Sequence, residues 1–225
     1  MTSLRDAIIS RFQGAPAPGR RSAPGTTPED TVQAEPKARP GAVRGDQDLN
    51  PDMTPRQPLQ AAAVLVPLME RDNGTTVLLT LRAAHLSDHA GQISFPGGRI
   101  DPGDADPEAA ALREAEEEIG LPPGHVHMIG RLDTYVTRTG YEVIPCVGLV
   151  TPPLELHPDP SEVAAVFEVP LSFFRDPANR RRETRVFQGR ERHFYVYPWE
   201  DRYIWGATAG MLSNLAEILG EPGEW

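Results

Sequence analysis

The chain is expected to fold as α+β, and three observations predict this. Aliphatic runs of strand length come in pairs joined by turn residues, the mark of hairpins. Two longer helical patterns, at 107–119 and 207–219, stand apart instead of alternating with every strand as parallel crossovers would demand. A change of composition near residue 57 separates these patterned elements from a segment too poor in aliphatic side chains to join a core.

The chain opens with a short amphipathic helix at 3–12. Its Leu4, Ile8, Ile9 and Phe12 can dock on the body or stay free. Residues 14–58 are rich in Pro, Gly, Ala, Arg and Asp and contain no aromatic ring. Such a segment cannot bury enough apolar surface to offset its ordering entropy, so a disordered linker is expected. The division is therefore 1–57, helix plus linker, and 58–225, the folded domain. Runs 61–69 and 76–81 flank Arg71-Asp72-Asn73-Gly74 and form the first hairpin, and 92–95 is a short strand. Asp104 or Asp106 caps the helix 107–119, Pro107 suits its first turn, and Pro122-Pro123-Gly124 stops it. Strands at 127–137 and 141–150 surround Arg138-Thr139-Gly140, and 164–169 is a further strand leading into a short helix at 170–174. A hairpin with arms 185–187 and 193–197 turns at Gln188-Gly189-Arg190, and the helix 207–219 ends at Gly220. No internal repeat is visible.

The acidic helix carries the chemistry. At about 100° per residue, Glu114, Glu117 and Glu118 project from one face, while Ala111, Leu112, Ala115 and Ile119 form an apolar flank. Adjacent carboxylates repel, and a hard divalent cation such as Mg²⁺ relieves the repulsion while also binding phosphate oxygens. Arg113 is placed to orient a carboxylate by a charge-assisted hydrogen bond. Glutamate runs are common on solvated helix faces, but here Phe95-Pro96-Gly97-Gly98 precedes the helix. Gly97 and Gly98 let backbone approach a ligand, and a loop entering a helix directs N–H groups at an anion.

Composition narrows the function classes. The net charge of −10 and the absence of a basic field exclude nucleic acid as a partner. No apolar stretch has the length of a membrane span, and the N-terminus lacks the apolar core of a secretory signal. Cys146, the only cysteine, reads as a small buried hydrophobe, and a reducing, cytoplasmic location is expected.

The stretch from Gly98 to Leu121 resembles the Nudix box. Gly98 and five residues lead to Asp104, where that family usually has Glu. Eight residues, not the usual seven, precede Arg113, and Arg113-Glu114-Ala115-Glu116-Glu117-Glu118-Ile119-Gly120-Leu121 fits without a gap. Leu78-Leu79-Thr80-Leu81-Arg82, with His89-Ala90-Gly91-Gln92-Ile93-Ser94-Phe95-Pro96-Gly97-Gly98, is similar to the motif before the box in coenzyme A pyrophosphatases. Ala83 stands where a Ser is frequent, and Ser87 where a basic residue is. The likeness runs from about residue 59 to 219 and includes Trp205-Gly206-Ala207-Thr208-Ala209-Gly210.

The resemblance implies an α/β/α sandwich around a mixed sheet, and hydrolysis of a nucleoside diphosphate derivative with Mg²⁺ or Mn²⁺. The substrate it implies is coenzyme A, giving 3′,5′-ADP and 4′-phosphopantetheine. Glu114, Glu117 and Glu118 are the expected metal ligands, with the Gly97 carbonyl as a further one, and Arg113 orients them. Glu162 is the expected general base. Arg82 and His89 are expected to contact phosphate, and the cluster Arg180, Arg181, Arg182 and Arg185 can serve a 3′-phosphate. Two alternatives stay open: the same chemistry on ADP-ribose, a dinucleoside polyphosphate or a nucleoside triphosphate, and a catalytically silent Nudix-fold binding module.

Overall fold

The computed structural model describes residues 4–13, 42–86, 89–152, 154–187 and 189–220. Most of the expected linker, together with Ser87 and Gln188, lies outside the described residues. In chain order the elements are α1 (Leu4–Gln13), β1 (Val43–Gly45), β2 (Gln60–Arg71), β3 (Gly74–Arg82), β4 (Ile93–Ser94), β5 (Gly97–Arg99), α2 (Pro107–Ile119), β6 (Val126–Arg131), β7 (Thr134–Val136) and β8 (Tyr141–Val150). They continue as β9 (Val163–Pro170), α3 (Leu171–Arg175), β10 (Arg181–Phe187), β11 (Arg190–Trp199), β12 (Arg202–Trp205) and α4 (Gly206–Leu219).

A mixed nine-stranded sheet runs β1-β7-β8-β2-β3-β4, with β5 also on β2, β6 on β8 and β9 on β3. At its centre β2 lies parallel to β8 from Gln60↔Tyr141 to Met69↔Val150 and turns back antiparallel into β3. Both faces of β2 are covered, which explains its nearly unbroken apolar run. Ala62, Val66 and Leu68 point into the cluster that includes Leu212 and Leu215 of α4 and Phe174 of α3. Ala63, Leu65 and Met69 point into the cluster formed with Ala110, Ala111, Ala115 and Ile119 of α2. The result is the α/β/α sandwich. A separate three-stranded antiparallel sheet, β10-β11-β12, stands beside it.

Several sequence expectations are corrected. The folded body does not begin at residue 57. Strand β1 pairs in parallel with β7, and Arg44 reaches the buried Asp133 at 2.8 Å. Asn50 holds the backbone of His193 through two hydrogen bonds of 2.9 Å. Polar side chains make these contacts, which is why hydrophobic patterning missed them. Of the two states left open for helix α1 the structure shows the docked one, with Ile8 fully buried and Phe12 packed over Gly130, where a Cβ would collide with the ring. The single strand expected at 127–137 is two, because Leu132 and Asp133 turn inward and Asp133 N–H donates to Asn214 Oδ1 at 2.8 Å. The glycine loop is itself strand β5, paired with Ala62, Ala63 and Val64.

Because α1 and β1 belong to the body, a chain starting at Gln57 is expected to fold poorly. In the full chain Ile8→Ala should cost about 2–5 kcal/mol by urea denaturation. An unchanged midpoint would show that α1 is dispensable.

Candidate active site

Helix α2 is capped at both ends. Asp106, not Asp104, accepts the Ala109 N–H at 2.8 Å, and Gly120 takes the left-handed conformation that closes the C-terminus. The small residues Ala110, Ala111 and Ala115 seat the helix closely on β2. That placement turns Glu114, Glu117 and Glu118 towards β5, each in a different setting.

Glu118 is 3 % exposed. Its Oε2 accepts the Gly97 N–H at 3.2 Å, and its Oε1 lies 3.7 Å from Arg82 Nη1. Burial pushes this carboxyl up to about 7 against both contacts, and the negative fields of Glu162 and Glu114 add to the rise. Glu114 is half-buried beneath Gly98, where a Cβ would strike its carboxylate, and burial raises it too despite the Arg113 hydrogen bond at 2.7 Å. Glu117 is exposed, 3.4 Å from Arg113.

Arg113 is the clasp. Its Nε and Nη2 grip Asp104 at 3.0 and 2.9 Å, its Nη2 also donates to the Arg99 carbonyl at 3.2 Å, and its Nη1 serves Glu114 and Glu117. Asp104 is thereby held below the usual carboxylate range, with its side chain 7 % exposed. The acid one residue out of the usual spacing thus anchors the guanidinium that orients two of the three glutamates.

Glu162 comes from a distant loop. The loop before β9 is tied to the C-terminal end of α2 by His157 N–H and Asp159 N–H, which donate to the Ile119 and Glu118 carbonyls at 2.9 Å. Ala83 N–H then donates to the Glu162 carbonyl at 2.8 Å, fixing that residue beside the end of β3. Its side chain is exposed and close enough to raise both Glu114 and Glu118.

Oxygen-only donors, two of them desolvated and burdened by one another's charge, suit a hard divalent cation. Among the described residues, however, no three His, Cys, Asp or Glu groups converge into a ready ligand set. Arg113 holds Glu114 and Glu117 while Gly97 and Arg82 hold Glu118, so a bound cation would have to draw them off these partners. The Cys146 thiol is buried and pushed up to about 12, far from a nucleophile.

A cavity of about 790 Å³ opens beside β5, lined by Arg82, His89, Gly97 and Gly98 at one end and by the three-stranded sheet at the other. Arg82 Nε is buried there without a hydrogen-bond partner in the described structure. His89 adopts a φ of 58°, and its Nδ1 is 2.8 Å from Gln92 Oε1. The arginine cluster does not act together. Arg180 turns to Ser213 and Glu217 and stacks 4.8 Å from Tyr195, and Arg181 and Arg182 are exposed on β10. Only Arg185 lines the cavity, joined by Arg99, Arg138 and Arg192. Sequence reasoning missed these three. Arg99 follows Gly98 directly and could have been found, whereas Arg138 and Arg192 are brought there by tertiary contacts alone.

Residues 59–188 match the model of the NUDIX domain. Among curated relatives, Nudix hydrolase NudL of Escherichia coli K12, described as uncharacterized, is 42 % identical over 160 residues, covering 71 % of this chain and 82 % of the relative. The Shigella flexneri protein of the same name is 42 % identical over 168 residues, covering 73 % and 86 %. Among solved structures, a C. elegans Ap4A hydrolase binary complex aligns at 22 % identity and a TM-score of 0.43, over 49 % of this chain and 80 % of that one. The M. smegmatis Nudix hydrolase RenU aligns at 26 % and 0.44, over 50 % and 71 %. No helix among the described residues is long and apolar enough to cross a membrane. With the family match spanning more than half of its length, this chain belongs to the Nudix hydrolases, enzymes that generally require divalent metal ions to cleave diphosphates.

Proposed function

We propose that this protein is a coenzyme A diphosphatase of the cytoplasm, using Mg²⁺ or Mn²⁺ to release 3′,5′-ADP and 4′-phosphopantetheine. The observation that carries the reading is Arg82. It belongs to the motif upstream of the box, lies 3.7 Å from Glu118 and keeps a buried Nε without an acceptor at the cavity wall. A buried unsatisfied donor is costly, and a phosphate oxygen would satisfy it.

Glu114, Glu117 and Glu118 would hold the metal, with the Gly97 carbonyl as a further ligand. The bound ion would neutralise charge on the diphosphate and make hydroxide available near neutral pH. Arg113 keeps Glu114 and Glu117 oriented from its anchor on Asp104. Glu162 takes the proton of the attacking water, being solvent-facing and fixed beside the acid helix by its own backbone. Water oxygen bonds to one phosphorus, the bridging P–O bond breaks, and the bridging oxygen leaves with the other product. Arg82 and His89 steady the phosphates, and the bare backbone at Gly97 and Gly98 lets them approach β5.

Glu118→Gln should nearly abolish turnover while leaving the fold intact. A kcat within about threefold of the parent, a loss below 1 kcal/mol, would remove Glu118 from the metal site.

The same residue predicts a pH dependence without metal. Its pKa in the folded state, about 7, is above the ordinary 4.5. The stability it contributes is therefore present below 4.5 and lost as pH rises through 7, up to about 3 kcal/mol. In EDTA, Glu118→Gln should match the parent near pH 4.5 and exceed it at pH 8, by urea denaturation. A difference that does not change with pH would contradict the raised carboxyl.

A screen of diphosphates with Mg²⁺ and Mn²⁺, resolved by product chromatography, should show coenzyme A cleaved with a higher kcat/KM than ADP-ribose. Arg82→Gln should lower both rates by about tenfold or more, as for loss of a charged phosphate contact. Faster cleavage of ADP-ribose by the parent would overturn the substrate assignment.

A further inference from the structure

The cavity wall supplied by the three-stranded sheet carries guanidinium groups that form no ion pairs among the described residues. In the β10–β11 register Arg185 stands directly opposite Arg192, and like charges at opposed positions repel. Asp52 answers Arg192 at 3.0 Å, and it also takes Arg190 at 3.3 Å. Arg185 makes no direct ion pair among the described residues, and its nearest link to a carboxylate runs through the Tyr203 hydroxyl, which donates to Glu183 at 2.6 Å. Its guanidinium lies against the rings of Phe194, Tyr203 and Trp205, at 5.4, 5.3 and 5.6 Å from their centroids. Two residues along the same face of β10, Phe187 carries the guanidinium of Arg138 at 4.7 Å; the backbone N–H of Arg138 donates to Asp46 Oδ2 at 2.7 Å, while its guanidinium makes no ion pair among the described residues. In a protein of net charge −10, guanidinium groups without ion pairs at a cavity are a local arrangement, not an overflow of basic residues. Stacking leaves the edge of a guanidinium free, and the edge is where its donors fork towards a phosphate. Both residues line the same cavity as Gly97 and Gly98, next to Glu114.

We infer that Arg138 and Arg185 form a second anion subsite, taking a phosphomonoester that the substrate carries away from its scissile diphosphate, with the nucleoside bearing it laid on Phe194 and Trp205. This rests on the coenzyme A reading, in which the 3′-phosphate of the adenosine is that group. The cavity volume lies within the range of about 300–1,000 Å³ typical of ligand sites, so one molecule can span from the acid helix to the sheet.

The test compares coenzyme A with dephospho-coenzyme A in the full-length protein and in Arg138→Gln, Arg185→Gln and Arg185→Lys. The parent should prefer coenzyme A by roughly ten- to hundredfold in kcat/KM, as for a charged phosphate contact. Each Gln variant should pull that ratio towards one, and Arg185→Lys should keep part of it. A ratio that survives both Gln variants, or a parent ratio of one, would overturn the subsite while leaving coenzyme A as substrate. Should the parent cleave ADP-ribose and ignore coenzyme A, the substrate reading fails, and calorimetric titration without metal decides the subsite by itself. Tighter binding of 3′,5′-ADP than of 5′-AMP, lost in Arg185→Gln, supports it, and equal binding of the two nucleotides overturns it.

Discussion

Strand β5 lies so close to β2 on one side and helix α2 on the other that no side chain fits at two successive positions. A Cβ on Gly97 would meet the Ala63 carbonyl and Val64, and one on Gly98 would meet the Glu114 carboxylate. The rest of the site depends on this clearance. With Gly97 flat on β2, its N–H reaches Glu118, and with Gly98 bare, Glu114 can sit beneath the strand. From the opposite side Ala110, Ala111 and Ala115 do the same for the helix, since larger side chains would lift α2 from the sheet and let water reach Glu118. Small residues thus determine how dry the acids are.

Dryness has an electrostatic consequence. Glu114 and Glu118 are both raised by burial, and the field of Glu162 adds to the rise of each. A helix carrying this load would gain stability from a neutral residue at 118, so Arg113 is best read as an arrangement for tolerating it. One edge of its guanidinium is committed to Asp104, leaving Nη1 to face Glu114 and Glu117. Lysine has no such fork and could not hold an anchor and two further carboxylates in fixed directions. The arrangement keeps the acids in place without neutralising Glu118, the group that Arg113 does not touch.

Much of this was legible in the sequence, and the parts that were not share a cause. Helix α2 has the expected bounds of Pro107 and Ile119, because caps, proline and apolar spacing all act locally. Strands β2, β3 and β8 and the shared face of the three glutamates follow from the same short-range rules. Strand β5 was hidden because two glycines carry no pattern, and β12 because Arg202–Trp205 is short. The docking of α1 rests on the burial of Ile8 and on Phe12 meeting Gly130, more than a hundred residues away, and no local rule reports such a contact. The arginine cluster failed for a related reason. Alternation along β10, with the partners Ser213, Glu217 and Tyr195 waiting for Arg180, sent neighbours in sequence to different environments.

The place where the family match stops bears on what the fold itself determines. The NUDIX model ends at residue 188, within the β10–β11 hairpin. Glu114, Glu118, Arg113, Arg82 and Glu162 lie inside it, whereas Arg192, Phe194 and Trp205, along with Asp52 and Asn50, lie outside. Chemistry that needs acids held to within fractions of an ångström sits on the central sheet, where β2 is buried on both faces. The far wall of the cavity is built by a smaller sheet, fastened through Asn50 to His193 and by Asp52 to Arg192. Its other supports are on the side away from α2, against α4 and with Arg202 laid over Phe167 of β9. The central sheet therefore positions the acids and the glycine backbone, and the smaller sheet supplies the opposite wall of the cavity they share.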